Sequence, residues 1–324
     1  MTYKQKPIQS KMEKISQDFF YKNHFENWID NLGKNLPDIW KLSSAKNLIP
    51  KKIKNDSAIV IGRGPSLKKF NHLKLLANSK YDGNIVCTDG ALKSVLEAGI
   101  TPDKFPKFFV ISVDPDRDLI PDFFDHKIIR KYGNKINGLF SILLHPLVIK
   151  NAKKAKIKIN WMHTLFDYQE GMKSFNNISA LIVRSKKNVG LPAIQTGGNA
   201  GTSGWFVSWK ILKCNTVALI GINHGWEETD SLKTIMSHGN VAIPPKISQK
   251  NKLFKKLYPK IFNPDFQTYC ILDPIFNYYR NALIEFISRS PKNVKTINST
   301  EGGSVYGDRI TSMKFSQFLS KYSN

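Results

Sequence analysis

Gly62-Arg63-Gly64-Pro65-Ser66 closes the apolar run Ala58 to Ile61, and Leu67 then opens an amphipathic segment. That order reads as a buried strand, a tight glycine turn and a helix start. Glycine permits a close backbone approach that a Cβ blocks, Pro65 suits a first helical position, and a helix N-terminus directs unpaired N–H groups at an anion. A phosphate fits this chemistry, although an ordinary strand-to-helix turn without a ligand gives the same short pattern.

Four further constellations carry chemistry. Asp89 follows the apolar run NIVCT, where its carboxylate can cap the next helix or receive a ligand hydroxyl. Asp114 and Asp116 flank a proline in SVDPD, so both can turn toward a Mg²⁺ held with nucleotide phosphates; acidic pairs in loops are also common without a metal. His145 directly follows GLFSILL and can act as a general base on an acceptor hydroxyl, hold a phosphate, or fix the turn before Pro146. Gly197, Gly198, Asn199 and Thr202 lie in TGGNAGTSG, ahead of an apolar helix. There, bare backbone can meet a charged or sugar-like ligand, and small residues also serve close helix-to-sheet packing.

The elements that must position these groups are short apolar runs: SAIVIG (57–62), NIVCT (84–88), FFVISV (108–113), GLFSILL (138–144), SALIV (179–183) and TVALIG (216–221). Helix-like segments at 67–79, 91–98, 119–132 and 201–212 lie between several of them. Alternation of this kind predicts an α/β fold, a doubly wound, Rossmann-like, mostly parallel sheet. Ligands in such sheets bind beyond the carboxyl ends of the strands, where the Gly62 turn, Asp89, Asp114, Asp116 and His145 fall together with Asn223 after TVALIG.

Residues 1–56 carry Phe19, Phe20, Phe25, Trp28, Leu32 and Trp40 at roughly helical spacing and read as a helical cap on the core at 57–227. Residues 228–270 are lysine-rich with Pro244-Pro245, the texture of a lid over phosphates or of a solvated insertion. A C-terminal extension, 271–324, completes the core with a helix (274–288) and a strand (293–297) ending at Glu301-Gly302-Gly303.

Forty-nine Lys and Arg against 25 Asp and Glu give a net charge of +24, which favours anionic partners. The lysines are dispersed and no nucleic-acid motif accompanies them, so nucleic acid is not the expected partner. Cys87, Cys214 and Cys270 are far apart, with no CxxC pair, which points to a reducing, cytoplasmic setting. No apolar run reaches the roughly 18 residues of a membrane span.

GRGPSL, TDGALKSVLEAGITPD, VISVDPD and GGNAGTSGWFVSWKILKCNTVALIGINHG, in that order, resemble the 6-hydroxymethylpterin diphosphokinase (MptE-like) domain superfamily over roughly residues 57–227. They also resemble its larger branch, the motility accessory factor proteins, linked to flagellin glycosylation and similar in fold to sialyltransferases. SVDPD departs from the TDLDG-like motif of the diphosphokinases, and TINSTEGG looks like the TEGG element of the larger branch. The resemblance implies a transferase using a nucleotide-activated sugar, a CMP-sugar of the nonulosonic type, and a hydroxyl acceptor on a glycan or protein. Its alternative is a Mg²⁺-dependent diphosphokinase acting with ATP on a pterin. By carry-over, Gly62, Gly64, Pro65 and Ser66 hold the nucleotide, Asp89 and Asp114 flank it, His145 is the candidate base, and Thr300, Glu301, Gly302 and Gly303 complete the donor pocket. A nonenzymatic nucleotide or nucleic-acid binding module is the reading left by charge alone.

Overall fold

SAIVI, NIVCT, FFVIS and TVALI are buried at all five positions, as strands shielded on both faces must be. The computed structural model describes residues 11–52, 56–115, 124–165, 174–188, 190–237 and 252–323. Its elements are α1 (Lys11–Lys41), β1 (Ser43–Ser44), β2 (Ser57–Ile61), α2 (Ser66–Lys69), α3 (His72–Ala77), β3 (Asn84–Thr88), α4 (Asp89–Glu97), β4 (Phe108–Ser112), α5 (Lys127–Tyr132), β5 (Asn137–Ser141), α6 (Pro146–Lys154) and β6 (Lys158–Leu165). There follow α7 (Phe175–Arg184), β7 (Ala193–Gln195), α8 (Ala200–Lys210), β8 (Thr216–Ile220), α9 (Leu232–Ser237), α10 (Lys252–Leu257), β9 (Lys260–Asn263), β10 (Thr268–Ile271), α11 (Pro274–Arg289), β11 (Lys295–Asn298), β12 (Ile310–Ser312) and α12 (Phe315–Tyr322).

The main sheet has the order β1-β6-β5-β4-β3-β2-β8-β11-β12, with β7 also paired to β6. Every pairing in it is parallel. The chain builds outward from β2 through β3, β4, β5 and β6 on one side, and through β8, β11 and β12 on the other. The order therefore reverses between β2 and β8, and that reversal opens a crevice at their carboxyl ends.

Alternate residues feed two cores. Ile59, Ile61, Ala218 and Ile220 face the layer containing Leu76, Leu92 and Phe318, while Ala58, Val60, Val217 and Leu219 face Trp205, Val207 and Leu283. The fold is thus the Rossmann-like α/β sheet that the sequence predicts. Helix α8 lies directly on it: a Cβ on Gly204 would sit 2.8 Å from Val60 Cγ1.

Several elements differ from the sequence reading. SALIV is not a strand but part of α7, with Leu181 68% exposed. KINWMHTL, not foreseen, is β6. The 67–79 segment breaks into α2 and α3 at Asn71, whose φ is +53°. At the N-terminal side the helical segment runs straight into β1, an edge strand of the sheet itself. Within 228–270, β9 and β10 form an antiparallel hairpin, and residues 238–251 lie outside the described residues. No helix among the described residues is long and apolar enough to cross a membrane.

Candidate functional site

At the crevice the glycine turn after β2 is pressed onto the end of β8. Gly62 N–H donates to the Ile220 carbonyl at 2.9 Å and Gly64 N–H to the Gly221 carbonyl at 2.7 Å. A Cβ on Gly62 would lie 2.3 Å from Gly221 O, and one on Gly64 2.3 Å from Asn223 Oδ1. Ser66 is fully buried; its hydroxyl donates to Asn223 Oδ1 at 3.0 Å and accepts the Gly221 N–H at 3.2 Å. This corrects the phosphate-cradle expectation in part. The Gly62 and Gly64 amides and the Ser66 hydroxyl are engaged within the protein, and the glycines are required by loop-to-loop contact. Arg63 and Pro65 are the exposed residues of the turn.

Asp89 opens α4 at the end of β3, buried, with Oδ1 accepting from Gly90 N–H at 2.7 Å and Oδ2 from the Ser112 hydroxyl. Burial pushes its carboxyl up to about 6, against the stabilising bonds from Ser112 and Gly90; Asp114 pushes the same way and Arg63 opposes it. Arg63, Asp89 and Asp114 thus share one electrostatic neighbourhood beyond β2, β3 and β4. Asp114 also reaches Tyr279 of α11, whose phenol is raised chiefly by burial and then by Asp114 and Asp273.

Asp116, the other expected metal ligand, lies outside the described residues. Among the described residues no group of three or more His, Cys, Asp or Glu could hold a metal ion. Both oxygens of Asp89 are engaged within the protein.

The glycine segment before α8 faces the same crevice from the other layer. Gly197 and Gly198 take φ of +53° and +82°, and a Cβ on Gly198 would sit 2.5 Å from Tyr279 Cε1. Asn199 caps α8: its Oδ1 accepts the Thr202 N–H at 2.8 Å, and its Nδ2 donates to Thr202 Oγ1 at 3.0 Å. Thr202 is buried in that cap. Gly201 stands against Ile222 at the end of β8, which places the α8 N-terminus over the crevice.

From β11, the 300–303 turn closes on Asn223. Ser304 N–H donates to the Asn223 carbonyl at 2.8 Å, and a Cβ on Gly303, whose φ is +75°, would lie 2.4 Å from that oxygen. Thr300 Oγ1 stands 2.7 Å from the Gly302 carbonyl. The hairpin steadies this turn through Asn263 Nδ2, which donates to the Gly303 carbonyl at 2.9 Å. Glu301 departs from its expected role: Oε1 meets buried His72 Nε2 at 3.2 Å and accepts the Phe315 N–H at 3.1 Å, so its carboxylate ties α3 to α12. Beside Asn223, His224 is buried against Phe276 and Tyr279, with no hydrogen-bond partner for Nδ1, and desolvation drops its pKa to about 3.

His145 is the N-cap of α6, its Nδ1 accepting the Leu147 N–H at 3.2 Å. That bond assigns the neutral ring's proton to Nε2. Two residues that the sequence reading did not single out hold its loop. Asn31 Nδ2 donates to the Pro115 carbonyl at 3.1 Å and the Leu143 carbonyl at 2.9 Å; Asn35 Nδ2 donates to Ile142 at 3.2 Å and Leu144 at 2.7 Å. One face of α1 therefore grips the loops that carry Asp114 and His145. Two buried asparagines at i and i+4, beside Leu32 and Ile39, are the signal that could have revealed it.

The family described as 6-hydroxymethylpterin diphosphokinase MptE-like matches residues 30–229. The chain belongs to the MptE-like family. No curated protein matches the sequence. The solved structure of MAf glycosyltransferase from Magnetospirillum magneticum AMB-1 is similar in fold, with a TM-score of 0.54 at 13% identity over 87% of this chain. This chain spans 39% of the length of that one. In this MptE-like chain the family segment begins at the α1 clamp and runs through the crevice to Asn223, while the 300–303 turn reaches the crevice from outside it.

Proposed function

We propose that the chain is a nucleotide-dependent transferase that passes a sugar of the nonulosonic type from CMP to a hydroxyl of a glycan or protein. The observation that carries this reading is the meeting of the β2 and β8 turns at the reversal of strand order, with Arg63 and Asp114 beside it and the α8 N-terminus above it. Arg63 and the α8 N-terminus supply positive potential for a departing phosphate. Asp114 takes the acceptor proton, and His145 donates from Nε2 to an oxygen of donor or acceptor. Fixed placement of the two substrates supplies much of the rate. Similarity of fold to a glycosyltransferase and the TEGG-like turn support the same reading.

A second reading, Mg²⁺-dependent diphosphoryl transfer from ATP to a hydroxymethyl pterin, is favoured by the family's own description and by Asp114 as a metal ligand. A thermal-shift panel of CMP, UDP, GDP and ATP, each with and without Mg²⁺, separates the two. Stabilisation by CMP without metal supports sugar transfer; stabilisation by ATP only with Mg²⁺ supports the diphosphokinase. Tight binding of short RNA at physiological salt with no response to any nucleotide removes both.

A further inference from the structure

A concavity among the described residues lies away from the crevice. It is a groove of about 540 Å³ lined by Lys41, Lys153, Lys156 and Lys158 with Asn137 and Asn160. Asn137 and Lys158 begin β5 and β6, so the groove lies at the amino edge of the sheet, opposite the crevice. Lys153 lies eight residues along α6 from His145, about 12 Å of helix.

All four lysines are exposed, and Lys153 alone has a carboxylate partner in the described structure, Asp38 at 2.5 Å. Lys156 takes φ of +62° at the end of α6, a position where glycine is cheaper, so the backbone there has no need of a lysine. Lysines at helix ends offset helix dipoles, yet Lys156 and Lys158 lie beyond α6 and bring their charge to a concave wall instead.

We propose that this groove binds a compact oligophosphate, a molecule with two or more linked phosphate groups. Its volume falls in the range of small-molecule sites, and four lysines in one lining match several closely spaced negative charges. The lining has no aromatic side chain on which a nucleobase could stack, which disfavours single-stranded nucleic acid. Concavity disfavours a flat lipid surface.

The test is calorimetric titration of the full chain with tripolyphosphate at low and physiological salt. Saturable binding is expected, weakened about tenfold or more by Lys156→Glu with Lys158→Glu. The control, Lys74→Glu with Lys80→Glu, makes the same change in net charge on exposed positions elsewhere and is expected to leave the affinity within about twofold. Equal loss in both variants, no saturable binding, or preferential binding of a short RNA or of phosphatidylserine vesicles through these lysines would overturn the proposal. The result does not depend on the reaction at the crevice, because none of these residues belongs to it.

Discussion

The Ser66 hydroxyl donates to Asn223 Oδ1 at 3.0 Å across 157 positions of sequence. With the Gly221 N–H donating to the same hydroxyl, this bond joins the first strand of the core to the strand at which the order reverses. Ser66 and Asn223, both expected to touch a nucleotide, are bound to each other.

Ser66→Ala should therefore cost about 1–3 kcal/mol, because it leaves Asn223 Oδ1 and the Gly221 N–H without this partner in a buried place. Urea denaturation of Ser66→Ala, Asn223→Ala and the double variant checks it. A double variant no less stable than the worse single variant is the expected result, whereas simple additivity would show that the two side chains act independently.

The α1 clamp predicts a loss of order that is local. Asn31→Ala removes the donor shared by the Asp114 and His145 loops and should destabilise by about 1–3 kcal/mol. Hydrogen exchange should quicken at 113–115 and 142–145 and stay unchanged in β8. A uniform change across the sheet would contradict the clamp.

His145 combines two roles that substitution can part. His145→Ala loses the α6 cap, about 1 kcal/mol, while His145→Asn keeps a preferred capping oxygen. If Nε2–H assists the reaction, turnover falls by about 10²-fold in both variants but stability falls in alanine alone. Wild-type turnover in His145→Asn would leave the residue as a cap only.

Stability should respond to pH in two opposed ways. His224 has its folded pKa lowered to about 3, so the unfolded chain takes up the proton first and stability is lost as pH falls below the ordinary histidine value of 6.5. His72 is also lowered, mainly by burial, and adds in the same direction. Asp89 is raised from 3.8 to about 6, so its contribution is full below 3.8 and lost as pH rises through about 6. Urea midpoints should accordingly show Asp89→Asn gaining on wild type between pH 4.5 and 7.5. His224→Phe should flatten the decline between pH 6.5 and 5.

The sheet was legible because its central strands are apolar on both faces and are followed by Gly62, Asp89 and Asp114. β6 was hidden by Asn160 and His163, polar residues whose partners, the Gly138 carbonyl and the Ser179 hydroxyl, come from elsewhere in the chain. SALIV misled because a short apolar run has no period of its own, and Ile178, Leu181 and Ile182 stay exposed on α7. At the site, residue types and strand ends located the crevice, but hydrogen-bond direction was invisible. Nothing in the sequence tells that Glu301 turns to His72, 229 positions away, or that His145 spends its lone pair on Leu147.

Hydrogen exchange with and without the nucleotide that stabilises the chain in the thermal panel tests the central claim most directly. The account predicts slowed exchange confined to 62–66, 197–201, 221–225 and 300–304, the four turns around the reversal of strand order. Slowed exchange at the amino edge of β5 and β6 alone, or no nucleotide-dependent change in those turns, would contradict it.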